Sequence, residues 1–219
     1  MIQFHPSVNN IVRIAALQFS DIHVVPKSNE LWDEIDLLVQ QLRTTYSTPS
    51  EASTVVLPAR QLYRDIGIDP TKNRPSSEAL LRRTLKGKGL YQINSVVDTC
   101  NFCSLQFLLP IGLYDFDKIE GCVILRIGMD GEGYEGIRKD RVNVSGKLTL
   151  ADDRSPFGNP SSDSARTMIT ESTKNILLVI FAPQTYSAPK LHQHAKFATE
   201  KMLEFNGGKI KEIVIVPDE

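Results

Sequence analysis

The sequence predicts an α+β fold, a mixed β-sheet with helices packed on it, from three observations. Residues 176–181 (ILLVIF) form a short, unbroken apolar run with the length of a buried strand rather than of a helix. Residues 28–46 repeat their apolar side chains with helical period. Between these two segments, residues 121–152 change to short apolar stretches punctuated by glycines, the pattern of strands and tight turns. A chain of 219 residues, 41% hydrophobic and 23% charged, is long and apolar enough to bury a sizeable core.

Taken in order, residues 11–19 (IVRIAALQF) read as a strand. Ser28 can cap the helix that follows, which buries Leu31, Trp32, Ile35, Leu38, Val39 and Leu42 along one stripe. Residues 48–54 are polar, carry Pro49 and read as a surface loop. Pro75 suits the first turn of a second helix, Ser76, Ser77 and Glu78 favour its start, and Gly87 and Gly89 end it. A third helix is organised around Asn94, Asp98 and Asn101, which fall at i, i+4 and i+7 and make one polar row among Val96, Val97, Cys100, Phe102, Cys103 and Phe107. Residues 110–112 (PIG) stop that helix, and residues 114–118 (YDFDK) make an acidic turn. Strands follow at 122–127 and 147–150, members of one sheet, with 129–136 as a connecting turn. Residues 154–166, rich in Ser, Pro, Asp and Asn, read as a loop and a candidate mobile lid. The strand at 176–181 is central; a helix from Pro189 to Asn206, closed by Gly207-Gly208, and a strand at 210–216 complete the chain.

A formal net charge of -1 gives the chain no bulk affinity for nucleic acid, so an RNA contact has to come from a local patch. Residues 72–88 supply one: Lys72, Arg74, Arg82, Arg83, Lys86 and Lys88 stand against Glu78 alone. Such a cluster is either a solvated helix face whose cations suit the dipole, or a contact for a nucleic-acid backbone. Residues 86–89 (KGKG) lack the spacing of a phosphate-binding loop. Three cysteines imply no disulfide framework, and Cys100-x-x-Cys103 lacks two further ligands, since His192 and His194 at i, i+2 point opposite ways on a helix. These thiols are expected as small buried hydrophobes, with no metal and no cofactor. The N-terminal residues lack a basic segment followed by an apolar core, and no apolar run reaches membrane-spanning length. The expectation is a soluble cytoplasmic protein without membrane or DNA partners.

Polar residues are the candidates for chemistry. The row Asn94, Asp98 and Asn101 either ties its helix to neighbouring loops or faces a ligand. Ser164, Thr167, Thr170 and Thr173, with Asp163 and Arg166, either line a pocket for an amino-acid head group or bond their own backbone. Arg126, on an otherwise apolar strand, wants a carboxylate partner, with Asp115 and Asp117 as candidates.

Residues 93–101 (INSVVDTCN), followed by Pro110 to Gly121 with its aromatic-Asp-x-Asp-Lys-Ile-x-Gly ending, resemble the B3/B4 domain of the bacterial phenylalanyl-tRNA synthetase β subunit. Arg126, Gly131-Glu132 and the Leu-x-x-Ala-Asp at 148–152 fill later places of that pattern, and residues 67–70 (GIDP) and 74–80 (RPSSEAL) resemble the opening of stand-alone B3/B4 proteins. The similarity runs from about 60 to 186. It implies one B3/B4-type domain over 1–219, with an N-terminal βα and a C-terminal αβ extension packed on a family-like core. It further implies a partner in tRNA or aminoacyl-tRNA and hydrolysis of misacylated tRNA in trans. The alternative from another class is a non-catalytic module for a free amino acid or related metabolite. By this resemblance Asp98 and Asp115 are the catalytic candidates; water for ester hydrolysis would be oriented by Asp98, Asp115 or Asp163, or by the ribose of the tRNA itself. Asn94, Asn101, Gly112, Asp163, Ser164 and Thr173 are the substrate-binding candidates, and the six cations of 72–88 the RNA-binding ones. The chain departs from the family pattern in three ways: the editing histidine aligns with Gly112, a glutamate with Val179, and a Ser- and Pro-rich loop replaces the glycine-rich one between Asp152 and Thr173. Nothing resembles the ATP-binding motifs of a synthetase catalytic core.

Overall fold

The apolar run at 176–181 lies within a strand, Ile176–Pro183, whose residues are all buried. The computed structural model describes residues 2–138 and 140–218. In order its elements are β1 (Ile2–Phe4), β2 (Val12–Ser20), α1 (Asn29–Thr45), α2 (Leu57–Asp65), α3 (Ser76–Leu85), α4 (Ser95–Phe107), β3 (Ile111–Asp115) and β4 (Val123–Ile127). They continue with β5 (Gly133–Glu135), β6 (Arg141–Asn143), β7 (Leu148–Ala151), β8 (Pro156–Asn159), β9 (Ser162–Asp163), β10 (Ile176–Pro183), α5 (Ala188–Asn206) and β11 (Lys209–Val216). The fold is α+β. Its strands divide into a four-stranded sheet ordered β11-β2-β10-β3, a five-stranded sheet ordered β1-β4-β7-β8-β9, and the hairpin β5-β6. The four-stranded sheet is antiparallel, whereas the five-stranded one is mixed through its parallel β1–β4 pair.

Strand alternation explains the layers. On β10, Ile176, Leu178, Ile180 and Ala182 face one way, into a core shared with α4 and α5; Leu177, Val179 and Phe181 face the other, into a core shared with the five-stranded sheet and α2. Helix α1 packs outside α4, with Leu31, Ile35 and Leu38 meeting Leu81 of α3 and Phe102 and Leu105 of α4. Caps set the helix starts. Ser28 accepts from the Leu31 amide at 3.2 Å, Asn94 from the Val97 amide at 2.9 Å and Ser187 from the Lys190 amide at 3.4 Å.

One helix, α2, has no counterpart in the sequence reading, and four local expectations need correction. Helix α2 carries no strong periodic signal, yet Pro58 starts it and Leu62 and Tyr63 anchor it in the two-sheet core. Pro110 does not end α4: the left-handed residue Leu108 (φ 57°) already has, so Ile111–Asp115 is free to pair with β10. The acidic turn shrinks to a 3-10 turn at Phe116–Lys118, started by Asp115. Segment 154–166 is not a mobile lid. It forms β8 and β9, and Arg166 locks its end by gripping Asp152 at 2.9 and 3.0 Å and the Lys118 carbonyl at 2.7 Å. Arg126 pairs with Glu132 at 2.6 and 2.8 Å, since the turn before β5 brings that carboxylate closer than Asp115 or Asp117.

Tyr114 is fully buried between the sheets, edge-on to Phe157 at 4.9 Å, and its ring lies against Gly112 and Gly158. A Cβ at either glycine would overlap the phenol, which has no room to withdraw. Gly158→Ala is therefore expected to cost about 1–3 kcal/mol, read as a lower denaturation midpoint at an unchanged slope.

Candidate functional site

A cavity of about 670 Å³ opens between α4, β3 and the segment after β9. Its walls are apolar: Val97 and Cys100 come from α4, Ile111 and Leu113 from alternate positions of β3, and Ile169 closes one side. Ile93, Ile137 and Met168, all substantially exposed, stand at its mouth. Polar groups are few and spaced, namely Asn94, Asn101, Asp163, Thr170, Arg138 and Glu171. This is the make-up of a small-molecule site, apolar walls with a few orienting polar groups. A smaller cavity of about 170 Å³ shares Cys100, Asn101, Ile111 and Asp163 with it, and is lined further by Ser76, Asn159, Ser161 and Ser162.

Local structure places each polar group. Asn94 spends its amide oxygen on the α4 cap and stands at the cavity edge. Asn101, two turns along the same face, is half-buried and makes no hydrogen bond to another described residue, so its amide is open to a ligand. Asp163 sits on β9, which the β8 hairpin holds against β3; the Leu113 amide points at its carboxylate from 3.5 Å. The Asp163 carbonyl accepts from the Ile137 amide at 3.3 Å. That bond brings the end of the β5–β6 hairpin, with Arg138 in a left-handed turn (φ 52°), over the cavity. Burial, and then the Asp163 charge, pushes the Tyr114 phenol well up, so it remains a neutral neighbour of the carboxylate. Burial likewise raises the Cys100 thiol, and Cys103 to about 12, so neither is a nucleophile near neutral pH. Among the described residues no group of three or more His, Cys, Asp or Glu side chains is placed to hold a metal ion.

Of the expected substrate-binding residues, Asn94, Asn101 and Asp163 come together in the lining, while Gly112, Ser164 and Thr173 do not. Gly112 faces the opposite side of β3, beneath Tyr114 and opposite Val179, so the two positions that align with the family's histidine and glutamate are paired but turned into the core. Ser164 is buried and caps a short turn. Thr173 is buried, donating to Asp115 at 2.8 Å and accepting from the Thr170 amide at 2.9 Å. The two catalytic candidates also lie outside the lining. Asp98 is buried and accepts from Trp32 Nε1 and from the Ile93 amide, both at 3.0 Å, which ties α1 to the approach of α4. Desolvation raises its pKa, and these bonds only partly offset the rise. Asp115 accepts from Thr173, the Asp117 amide and Lys118.

The cationic cluster is organised by one buried carboxylate. Glu78 is gripped by Arg60 through two bonds of 2.7 Å, with Arg74 at 3.4 Å and Arg82 at 3.8 Å. Burial opposes its charge, but Arg60, Arg74 and Arg82 outweigh burial and hold its pKa below the ordinary value. Arg83 lies over the Tyr91 ring, 3.9 Å from the centroid, and donates to the Tyr91 hydroxyl at 3.0 Å and to the Gly89 carbonyl. Lys72, Lys86 and Lys88 are exposed and make no ion pair among the described residues. Ser76 and Leu80 of α3 line the smaller cavity, so this basic helix borders the site that contains Asn101.

Sequence reasoning missed the walls. The alternation of Ile111 and Leu113 was a usable signal for β3, hidden by the reading of Pro110 and Gly112 as a stop. Arg138 had no signal, because its placement depends on a tertiary bond between Ile137 and Asp163.

Comparison with known proteins places this architecture. Residues 58–210 match the B3/4 domain family. The phenylalanine–tRNA ligase beta subunit of Fusobacterium nucleatum is 31% identical over 110 residues, covering 48% of this chain and 14% of that protein. That of Idiomarina loihiensis is 27% identical over 183 residues, covering 81% of this chain and 21% of that protein. The crystal structure of an N-terminal fragment of the phenylalanyl-tRNA synthetase beta-subunit from Pyrococcus horikoshii gives a TM-score of 0.46 at 13% identity, over 99% of this chain and 54% of that one. These matches thus span 14% and 21% of the two curated relatives and about half of the solved fragment.

Two outcomes separate framework from site. Asp98→Ala leaves the Trp32 and Ile93 donors without their acceptor and is expected to lower stability by about 1–3 kcal/mol, while ligand binding in the cavity, followed by calorimetry, persists. Glu78 has a depressed native pKa. Its contribution is therefore complete above its ordinary value of 4.5 and is lost as pH falls through the native value. Urea midpoints measured against pH are expected to show an acid limb that Glu78→Gln flattens.

Proposed function

On the premise that this chain belongs to the B3/4 domain family, we propose that it binds the aminoacyl end of a tRNA and removes wrongly attached amino acids by ester hydrolysis. The observation that carries this reading is the pairing in one cavity of apolar walls with the carboxylate of Asp163 and the amide of Asn101. An aminoacyl group presents an apolar side chain, an α-ammonium and an ester carbonyl. Val97, Ile111, Leu113 and Ile169 suit the first, Asp163 the second and the Asn101 amide the third. In the hydrolysis, water oxygen bonds to the acyl carbon, the bond to the ribose oxygen breaks, and that oxygen leaves with a proton. The ester is already activated, so holding it beside water and the neighbouring ribose hydroxyl supplies much of the rate. The curated relatives are ligase subunits for phenylalanine tRNA, which makes an aromatic amino acid on that tRNA the first substrate class to test.

A second reading, a non-catalytic module for a free amino acid, is favoured by one observation: Asp98 and Asp115, two of the three carboxylates expected to orient water, are committed to framework bonds outside the cavity, which leaves Asp163 alone in its lining. Deacylation of a panel of mischarged tRNAs, with Tyr-tRNA(Phe) included, separates the two. Turnover that falls at least about tenfold in Asp163→Asn, one charged contact being worth about 1.5–3 kcal/mol, supports hydrolysis. No turnover on any substrate, together with calorimetric binding of a free amino acid that Asp163→Asn abolishes, establishes the module instead.

A further inference from the structure

We propose that Tyr91, backed by Arg83, is a stacking platform for an unpaired nucleobase at the entrance to the cavity. This inference rests on the tRNA-binding reading and names the part of the RNA that reaches the site first. Tyr91 is 63% exposed, an unusual state for a tyrosine ordered on one side. The Arg83 guanidinium covers one face of the ring at 3.9 Å and also bonds its hydroxyl, so ring and cation form one fixed unit. Arg83 itself is anchored by the Gly89 carbonyl. With Arg83 on one face, the exposure of Tyr91 leaves much of the ring to solvent.

Position argues for the same use. Ser76 and Leu80 line the smaller cavity, and Arg83 follows Ser76 at i+7 and Leu80 at i+3, on the same face of α3. Tyr91 stands two residues before Ile93, which is at the mouth of the larger cavity. The ring is thus fixed to the basic helix through Arg83 and joined by a two-residue step to the mouth of the larger cavity. Lys86 and Lys88, exposed and without ion pairs among the described residues, precede it closely in sequence and suit the phosphates next to a stacked base. An aromatic face with cations beside it is the arrangement by which proteins hold single-stranded nucleic acid irrespective of base order. Every tRNA ends in a single strand that carries the amino acid, so a platform here would seat that strand while the aminoacyl group enters the cavity.

The test uses the full chain and two probes, an uncharged tRNA and a short single-stranded oligoribonucleotide ending in CCA. Tyr91→Ala is expected to weaken binding of both by about 5- to 100-fold, the range for losing one stacked base, while Tyr91→Phe stays within about twofold. Thermal unfolding should not shift in either variant, because the ring is a surface group. Tyr91→Trp supplies a direct readout: its fluorescence, measured above the Trp32 background, should be quenched on adding the oligonucleotide. Wild-type binding that survives unchanged in Tyr91→Ala, or an unquenched Trp at 91, overturns the platform and leaves the tRNA-binding reading standing. Absence of any tRNA binding by the wild-type chain overturns both.

Discussion

The pairing of β10 with β2 on one side and β3 on the other is the constraint on which the rest of the molecule depends. Because β10 is buried along its whole length, its register decides which side chains go to which core. With Leu178 opposite Leu113 and Val179 opposite Gly112, Leu113 turns towards α4 and Gly112 towards the second sheet. A slip of one residue would exchange the two sets. The cavity exists on the α4 side because the other side is filled: Tyr114 occupies the space above Gly112 and Gly158 that a larger side chain would need.

Burial of polar groups follows the same economy. Asp98, Asp115, Thr173 and Glu78 are inside the protein, and each is surrounded by donors that balance the loss of water. These groups hold elements together, α1 to α4 through Asp98 and α2 to α3 through Glu78, and they are poorly placed to change partners during a reaction. Asn101, Asp163 and Arg138 stand where a ligand can reach them. The separation between framework polarity and accessible polarity is what assigns the site, more than residue type does.

Much of the framework was legible in the sequence. The cap Ser28, the stripe of α1, the central strand and the Gly-Gly end of α5 are local signals, and each element formed where its own residues favour it. Of the polar row expected on α4, Asn94 is the cap just outside the helix, and the two members on the helix point to different tasks. Asp98 turns to Trp32 and Asn101 to the cavity, a distinction made by the neighbouring α1 and β3 and absent from α4 itself. Residues 110–118 were misread because a proline and a glycine suggest a turn, and only pairing with β10 makes the stretch a strand. The 154–166 segment misled for a similar reason, its order coming from Arg166 and Asp152 rather than from its own composition.

The order of strands in the main sheet has a consequence for synthesis. Strand β2 precedes both of its sheet neighbours, β10 and β11, and all the elements from α1 to β9 lie between them in the chain. Both its backbone edges therefore wait, unpaired, until β10 and β11 have been made. Contacts of such sequence separation form late and slowly, and the waiting strand is the part of the nascent chain most prone to pair with a neighbour on the same message. Folding of the central layer is thus a closing event, completed when the final strand zips along β2.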